Sequence, residues 1–252
     1  SGGLRQRMMI AMALAGQPEL LIADEPTTAL DVTMQAQVLD VLRTLRRERR
    51  MGMLLITHDL GVVAQNADRV GLMYAGELLE EGTRAAFFAA PQHPYSRMRF
   101  EALPRPGDGG RLATIPGQVP RLDTAFTGCR FAPRCPHVVA RCRVESPGWQ
   151  TLGDQRVRCH RAGELPATGV RAPAARRAPA PPAAPLLQVD DLKVHFPIRR
   201  GLLQRTVGHL RAVDGVSLVI EAGRTLALVG ESGCGKTTVG KAMLHLIEPS
   251  AG

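Results

Sequence analysis

Apolar residues recur at helical spacing over residues 5–16, where Met8, Met9, Met12 and Ala13 fall in step. They recur again over 33–50, where Val38, Val41, Leu42 and Leu45 share one face. Two short apolar runs bounded by polar residues, 20–23 and 53–57, have the pattern of strands buried in a parallel sheet. Val70 to Tyr74, an Ala75-Gly76 turn and Glu77 to Glu80 predict a hairpin. Near the other end, 187–194, 216–220 and 225–229 read as strands, and a helix is expected over about 236–247. Strands alternating with helices predict an α/β sheet.

Between these two regions the texture changes. Residues 91–162 carry Pro, Gly and four cysteines with little periodicity. Residues 163–185 are rich in Ala and Pro, a composition that cannot bury a core and predicts an extended linker. With 252 residues the chain has room for one large domain or two small ones. No run of eighteen apolar residues occurs, so no membrane helix is expected, and no secretion signal is visible at the Ser-Gly-Gly start. Aromatics are only 4%, so Ala, Leu, Val, Ile and Met must carry the core. The net charge is +9, and only Lys193, Lys236 and Lys241 of the 32 basic residues are lysine. A GC-rich coding bias is the simplest source of that arginine; a nucleic-acid or anionic-lipid surface is the sharper alternative. The run Arg46-Arg47-Glu48-Arg49-Arg50 needs neither, since cations suit a helix C-terminus.

The motif with the most chemistry lies near the end. Gly230-Glu231-Ser232-Gly233-Cys234-Gly235-Lys236-Thr237-Thr238 follows an apolar strand and precedes a helix. That context is what a phosphate-binding loop requires. Its glycines let backbone N–H groups curl around phosphate oxygens, and the helix N-terminus adds positive charge there. Lys236 is expected to reach the β- and γ-phosphates and Thr237 to offer its hydroxyl to Mg²⁺. Cys234 inside the loop reads as a small packing residue. Earlier in the chain, Leu20-Leu21-Ile22-Ala23-Asp24-Glu25 delivers two carboxylates to the carboxyl end of a strand, where α/β sheets bind ligands. Asp24 is placed as a Mg²⁺ ligand, and Glu25 as the group that polarises an attacking water. Standing alone, those carboxylates could simply begin the turn at Pro26.

Taken together the motifs resemble the ABC (ATP-binding cassette) ATPases: Ser1-Gly2-Gly3, then Asp24-Glu25-Pro26-Thr27-Thr28-Ala29-Leu30-Asp31, then His58. The resemblance assigns Ser1, Gly2 and Gly3 to the signature loop that contacts ATP held by an opposing domain. It assigns Ala29-Leu30-Asp31 to the dimer interface, His58 to the switch histidine at the γ-phosphate, and Phe196 to the aromatic that stacks on adenine. Leu4 stands where the usual signature has Gln, which looks like a subfamily mark. His93-Pro94-Tyr95-Ser96, Ile115-Pro116-Gly117 and the segment 128–136 look like the C-terminal extension of oligopeptide and dipeptide importer ATPases.

Those motifs come in an unusual order, with the phosphate loop last. The resemblance therefore implies a window cut from a fused tandem subunit, as the lack of an initiator Met also suggests. Residues 1–90 are expected to be the back half of a first cassette, 91–162 its extension, 163–185 a linker, and 186–252 the front of a second cassette. Such halves are complementary, so strands 20–23, 53–57 and 225–229 are expected to share one sheet as a circularly permuted P-loop NTPase fold. The implied activity is ATP hydrolysis, with ATP and Mg²⁺, powering import of peptides or a related small solute. The implied partners are two membrane permeases, a solute-binding protein and a head-to-tail ATPase dimer, with no specific nucleic acid. The implied location is the cytoplasmic face of a bacterial inner membrane. A soluble ABC ATPase acting on nucleic acid or ribosomes is the alternative, and the fragment by itself is expected to be open to inactivity. Cys129, Cys135, Cys142 and Cys159 are spaced more loosely than in a zinc ribbon. Family members with a [4Fe-4S] cluster here make that cluster one expectation, with zinc (His137 and His160 as substitute ligands) or free thiols as the others.

Overall fold

A computed structural model describes residues 2–28, 30–103, 114–165, 184–201 and 204–252. Ser1, Ala29 and the stretch 166–183, which holds most of the expected linker, lie outside the described residues.

The chain begins with helix α1 (Gly2–Ala15) and strand β1 (Leu20–Asp24). Gly2 and Gly3 thus stand in the first turn of α1, where helical N–H groups have no i−4 partner. The Met8, Met9 and Met12 set is exposed. The inward side is instead Leu14, which is buried, and Ile10, which packs against the next helix. That helix, α2 (Val32–Arg49), starts on Asp31, whose Oδ1 accepts the Met34 N–H at 2.9 Å. It buries Val38 and Leu42 but turns Val41 outward. Arg46, expected to be a helix-end cation, is buried and reaches Asp68 and Thr225.

Strand β2 (Gly52–Thr57), α3 (Leu60–Asn66), β3 (Arg69–Tyr74) and β4 (Glu77–Thr83) follow, the last two as the expected hairpin. Ala75 and Gly76 both have positive φ, 45° and 86°, which suits the tight turn. Next come α4 (Arg84–Ala89) and α5 (Pro94–Glu101). A single 3₁₀ turn (Ala132–Arg134), α6 (Ala140–Val144), β5 (Gln150–Leu152) and β6 (Gln155–Val157) complete the middle region. That region is more ordered than its aperiodic sequence suggests, because β6 pairs with β4 and extends the sheet. Tyr74, Tyr95 and Phe131 also lock together, with ring centroids 4.9–5.3 Å apart.

The last part holds a long hairpin, β7 (Pro185–Arg200) and β8 (Arg205–Glu221), then β9 (Thr225–Gly230) and α7 (Lys236–Met243). The hairpin runs well beyond the short strands expected, because backbone pairing continues through its charged half. Helix α7 stops earlier than expected, just before His245 with φ 52°.

The sheet order is β1-β2-β9-β3-β4-β6-β5, with the first four strands parallel. Strand β9, from the far end of the chain, is inserted between β2 and β3. This is the permuted arrangement the motif order implied. Alternation explains why β9 fits there. Leu226 and Leu228 face a core built with Val194, Val213 and Val216 of the long hairpin and Val239 of α7. Ala227 and Val229 face the opposite core of α3, α4 and α5, with Phe87 and Phe100. A strand apolar on both faces is stable only when covered on both, and each large side chain so buried contributes about 1.5–3 kcal/mol.

Candidate functional site

Strands β1, β2 and β9 are parallel and in register, with Asp24 opposite Ile56 and Ile56 opposite Leu228. Their carboxyl ends therefore open on the same edge of the sheet. Asp24-Glu25, His58 and the loop 230–238 all begin there, with β1 and β9 roughly 10 Å apart at two strand spacings. Glu25 sits just past β1 with φ 48°, a left-handed conformation that a non-glycine residue holds only under constraint. Its backbone N–H donates to Ile56 O at 2.9 Å. Its carboxylate contacts His58 Nδ1 at 2.9 Å through one oxygen and accepts the Thr28 hydroxyl at 3.1 Å through the other. The predicted water-polarising acid and switch histidine are thus directly joined. Asp31 caps α2, as described above. Phe196 lies on β7 and is partly exposed, while His195 Nε2 is 2.9 Å from Asp214 Oδ1.

The loop 230–238 is held close against its surroundings. Gly235 has φ 102°, and a Cβ there would lie 2.2 Å from Ala212 O; one on Gly230 would lie 2.3 Å from Met73 O. Only glycine satisfies both the dihedral and the approach. The buried Lys236 ammonium donates to Gly230 O at 3.1 Å and Glu231 O at 3.0 Å. Cys234 is fully buried, and burial pushes its thiol pKa up. Thr237 at the start of α7 and the loop-tip residues Ser232 and Gly233 are exposed, and Thr238 is half-buried.

Several contacts to this loop and to His58 come from residues given no site role in the sequence, although Tyr95 and Arg134 lie within the extension motifs. Arg134 Nη1 lies 3.1 Å from Glu231 Oε2 and 3.2 Å from the Tyr74 hydroxyl. The Glu231 N–H donates to the Tyr95 hydroxyl at 3.2 Å. Arg99 Nη2 donates to His58 O at 2.8 Å. No local pattern signals these contacts, because each joins residues 41 to 136 positions apart.

The four expected cysteines converge. Cys129, Cys135, Cys142 and Cys159 line one small cavity of about 10 Å³, together with His93, His137 and His160. Burial raises the Cys129 thiol to about 12 and Cys159 to about 11, with neighbouring thiols adding to the effect, and burial raises Cys135 as well. His93 is fully buried; its Nδ1 accepts the Tyr95 N–H at 3.0 Å, so Nε2 carries the proton, and it has no partner among the described residues. Burial, then the charge of Arg97, lowers its pKa to about 3. The thiols are not, however, spaced as a finished metal site: among the described residues no group of three or more His, Cys, Asp or Glu could hold a metal ion. The donor chemistry suits a thiophilic ion, but ligation requires the cavity to rearrange.

No helix among the described residues is long and apolar enough to cross a membrane. The ABC transporter family profile matches residues 1–28 and 213–252. The profile for the oligopeptide/dipeptide transporter C-terminal region matches residues 79–142. The oligopeptide transport ATP-binding protein OppD of Mycobacterium tuberculosis is 44% identical over 261 residues, covering 100% of this chain and 43% of the relative. The glutathione import ATP-binding proteins GsiA of Pectobacterium atrosepticum and Escherichia coli are 43% and 42% identical, over 100% of this chain and 34% of each relative. The chain thus spans less than half the length of these relatives. One piece of the split ABC match holds β1 and the other β9, and the extension match lies between them: the chain belongs to the ABC transporter ATP-binding family, in the group that carries the oligopeptide/dipeptide transporter C-terminal region.

Proposed function

We propose that this chain is part of an ATP-hydrolysing subunit that powers import of oligopeptides or a related small solute through two membrane permeases and a solute-binding protein. The observation that carries this is the common edge formed by Asp24-Glu25, His58 and the loop 230–238, with Glu25 bonded to His58 at 2.9 Å. Lys236 exchanges its two carbonyl acceptors for β- and γ-phosphate oxygens. Asp24 and Thr237 hold Mg²⁺, which neutralises phosphate charge when bound. Glu25 orients and polarises the attacking water, and His58 contacts the γ-phosphate. Phe196 stacks on adenine. Catalysis then rests on positioning and charge neutralisation around an in-line attack.

In the whole subunit, residues 1–90 and 186–252 belong to successive cassettes, with 91–162 as the extension and 163–185 as the linker, so Asp24, Glu25 and His58 serve one ATP there and the loop 230–238 the other; the single shared site described above is that of this chain packed by itself. Ser1, Gly2, Gly3 and Asp31 then serve a head-to-tail dimer in which each ATP is shared, at the cytoplasmic face of the inner membrane. The cysteine cavity takes a thiophilic metal, a [4Fe-4S] cluster or zinc, on Cys129, Cys135, Cys142 and Cys159. Four soft donors around one cavity, which His93 with its unpartnered buried Nε2 also lines, support that reading.

The test is MgATP binding and phosphate release by the chain and by Glu25→Gln. Retained binding with hydrolysis lowered at least about 100-fold fits Glu25 as the polarising base. Equal hydrolysis in the two proteins removes that role, and no nucleotide binding by either removes the function.

A further inference from the structure

The peptide unit that follows His58 is held at both ends. Its N–H, on Asp59, donates to Thr57 Oγ1 at 3.1 Å. Its C=O, on His58, accepts from Arg99 Nη2 of α5 at 2.8 Å. The residues on either side are fixed by their own elements. Thr57 closes β2 opposite Val229, and Asp59 caps α3 by accepting the Gly61 and Val62 N–H groups at 2.7 and 3.2 Å. The His58 side chain is 65% exposed, so packing does not orient it. What aims the imidazole at Glu25 is the backbone beneath it. Within that anchoring, the Arg99 bond comes from outside the β2–α3 connection.

Arg99 is itself well placed. It stands one turn after Tyr95 on α5, so the two share a face of the helix. Its guanidinium carbon lies 6.0 Å from the centroid of the Tyr95 ring, and that ring is buried against Tyr74 and Phe131. The Tyr95 hydroxyl accepts the Glu231 N–H at 3.2 Å, and burial pushes its pKa up, which keeps it neutral. One helix of the extension therefore touches the connection after β2 through Arg99 and the connection after β9 through Tyr95. Those two strands are neighbours in the sheet. Arg99 Nε is buried with no partner among the described residues, which costs stability. An apolar side chain would pack there without that cost; the guanidinium is accounted for by its bond to His58 O.

We propose that Arg99 is a positioning residue for His58, through which the extension helix α5 holds the histidine in the orientation that meets Glu25 and the γ-phosphate. The proposal rests on the reading of His58 as the γ-phosphate contact and goes beyond it, by giving the extension a part in the nucleotide site. Arg99 and His58 are only 41 positions apart in one stretch of chain, so their bond does not depend on how the two ends of the chain pack. Without Arg99 the peptide unit after His58 keeps one anchor of two and can rotate, and the imidazole then leaves the Glu25 carboxylate, 2.9 Å away. Nucleotide binding is touched much less, because Lys236 and the glycines of the loop are held by contacts of their own.

The test combines MgATP hydrolysis with nitrogen-15 NMR of the His58 ring in the nucleotide-free chain, its signals identified by their loss in His58→Gln. Arg99→Met is expected to lower kcat about 10- to 100-fold with KM for MgATP within about threefold. Its His58 ring signals should move toward those of Glu25→Ala, in which the carboxylate contact is gone. Arg99→Lys, which keeps a donor for the carbonyl, should recover part of both. Arg84→Met is the control: Arg84 donates to Ala64 O at 2.7 Å at the other end of α3, so it loosens the same helix away from His58 and should leave kcat unchanged. Unchanged ring signals in Arg99→Met overturn the proposal, as does a kcat within about twofold of the parent or an equal loss in Arg84→Met. Should Arg99→Met fail to fold, Arg99→Lys carries the same readings, and ring signals and kcat both at parental values with Gln in place of that Lys overturn it. Absence of hydrolysis by the parent chain strikes the proposed function instead, and the ring signals alone then decide whether Arg99 holds His58.

Discussion

Arg46 ties the first part of the sheet to the last. Its Nη1 pairs with Asp68 Oδ2 at the head of β3 and donates to Thr225 Oγ1 at the head of β9, 2.8 Å away. Asp68 Oδ2 also accepts the Thr225 N–H at 2.8 Å. One side chain on α2 thus anchors the inserted strand at its entry point. Removing one member of a fully buried pair costs about 3–5 kcal/mol. Here the cost is smaller. The Asp68 side chain is 30% exposed and keeps both the Thr225 N–H and Arg224, at 3.8 Å. Arg46 Nε is moreover buried without a partner, a native cost that Met removes. Arg46→Met is therefore expected to destabilise the chain by about 2 kcal/mol, or about 4–8 °C in Tm for a chain of this size. Urea unfolding followed by circular dichroism measures it. A double-mutant cycle with Thr225→Val isolates the strand contact, expected near 1 kcal/mol. Arg43→Met, whose partner Asp40 is exposed, is the control and is expected within about 0.5 kcal/mol of the parent. If Arg46→Met matches that control, or shows no coupling to Thr225, Arg46 does not hold β9 in place.

Leu228→Ala, at 0% exposure in the middle of β9, is expected to cost about 2–5 kcal/mol in the same assay. Gly235→Ala forces a Cβ to within 2.2 Å of Ala212 O at φ 102°. It should weaken nucleotide binding at least about tenfold while the far-UV spectrum is kept, and unchanged binding counts against the close loop–β8 approach. His93 has a folded pKa of about 3 against an unfolded value near 6.5. Its contribution is therefore complete above about pH 6.5 and is lost as pH falls from there toward 3, so midpoints in urea should drop across that window. In His93→Gln the drop should shrink; an identical acid slope would assign it elsewhere. Glu80, pushed by burial to about 7 and opposed by the Gln92, Ser96 and His93 donors, acts with opposite sign, losing its contribution as pH rises from about 4.5 to 7.

The helices α1 and α2, the strands β1, β2 and β9 and the β3–β4 hairpin were legible because each carries a local period or a turn signal. The inner side of α1 was not, since its most conspicuous apolar residues, Met8 and Met12, face outward. Short elements such as α4 and β6 were missed as well: with six and three residues they carry too little pattern, and they are held by packing and by a neighbouring strand. The nucleotide-type residues were legible from motif and spacing. Arg134, Tyr95 and Arg99 were not, because their importance lies in what they touch 97, 136 and 41 positions away.

By itself the sequence determined the chemistry of the loop 230–238, the carboxylates of Asp24 and Glu25, the α/β class and, from motif order, the complementarity of the two ends. Those properties are written in residue type and short-range period, which neighbours along the chain specify. Only the tertiary structure decided that β9 enters between β2 and β3, that Glu25 meets His58, and that the cysteine segment grips the phosphate loop. These depend on which apolar faces find cover and which buried charges find partners, and that is settled by long-range packing, not by local pattern.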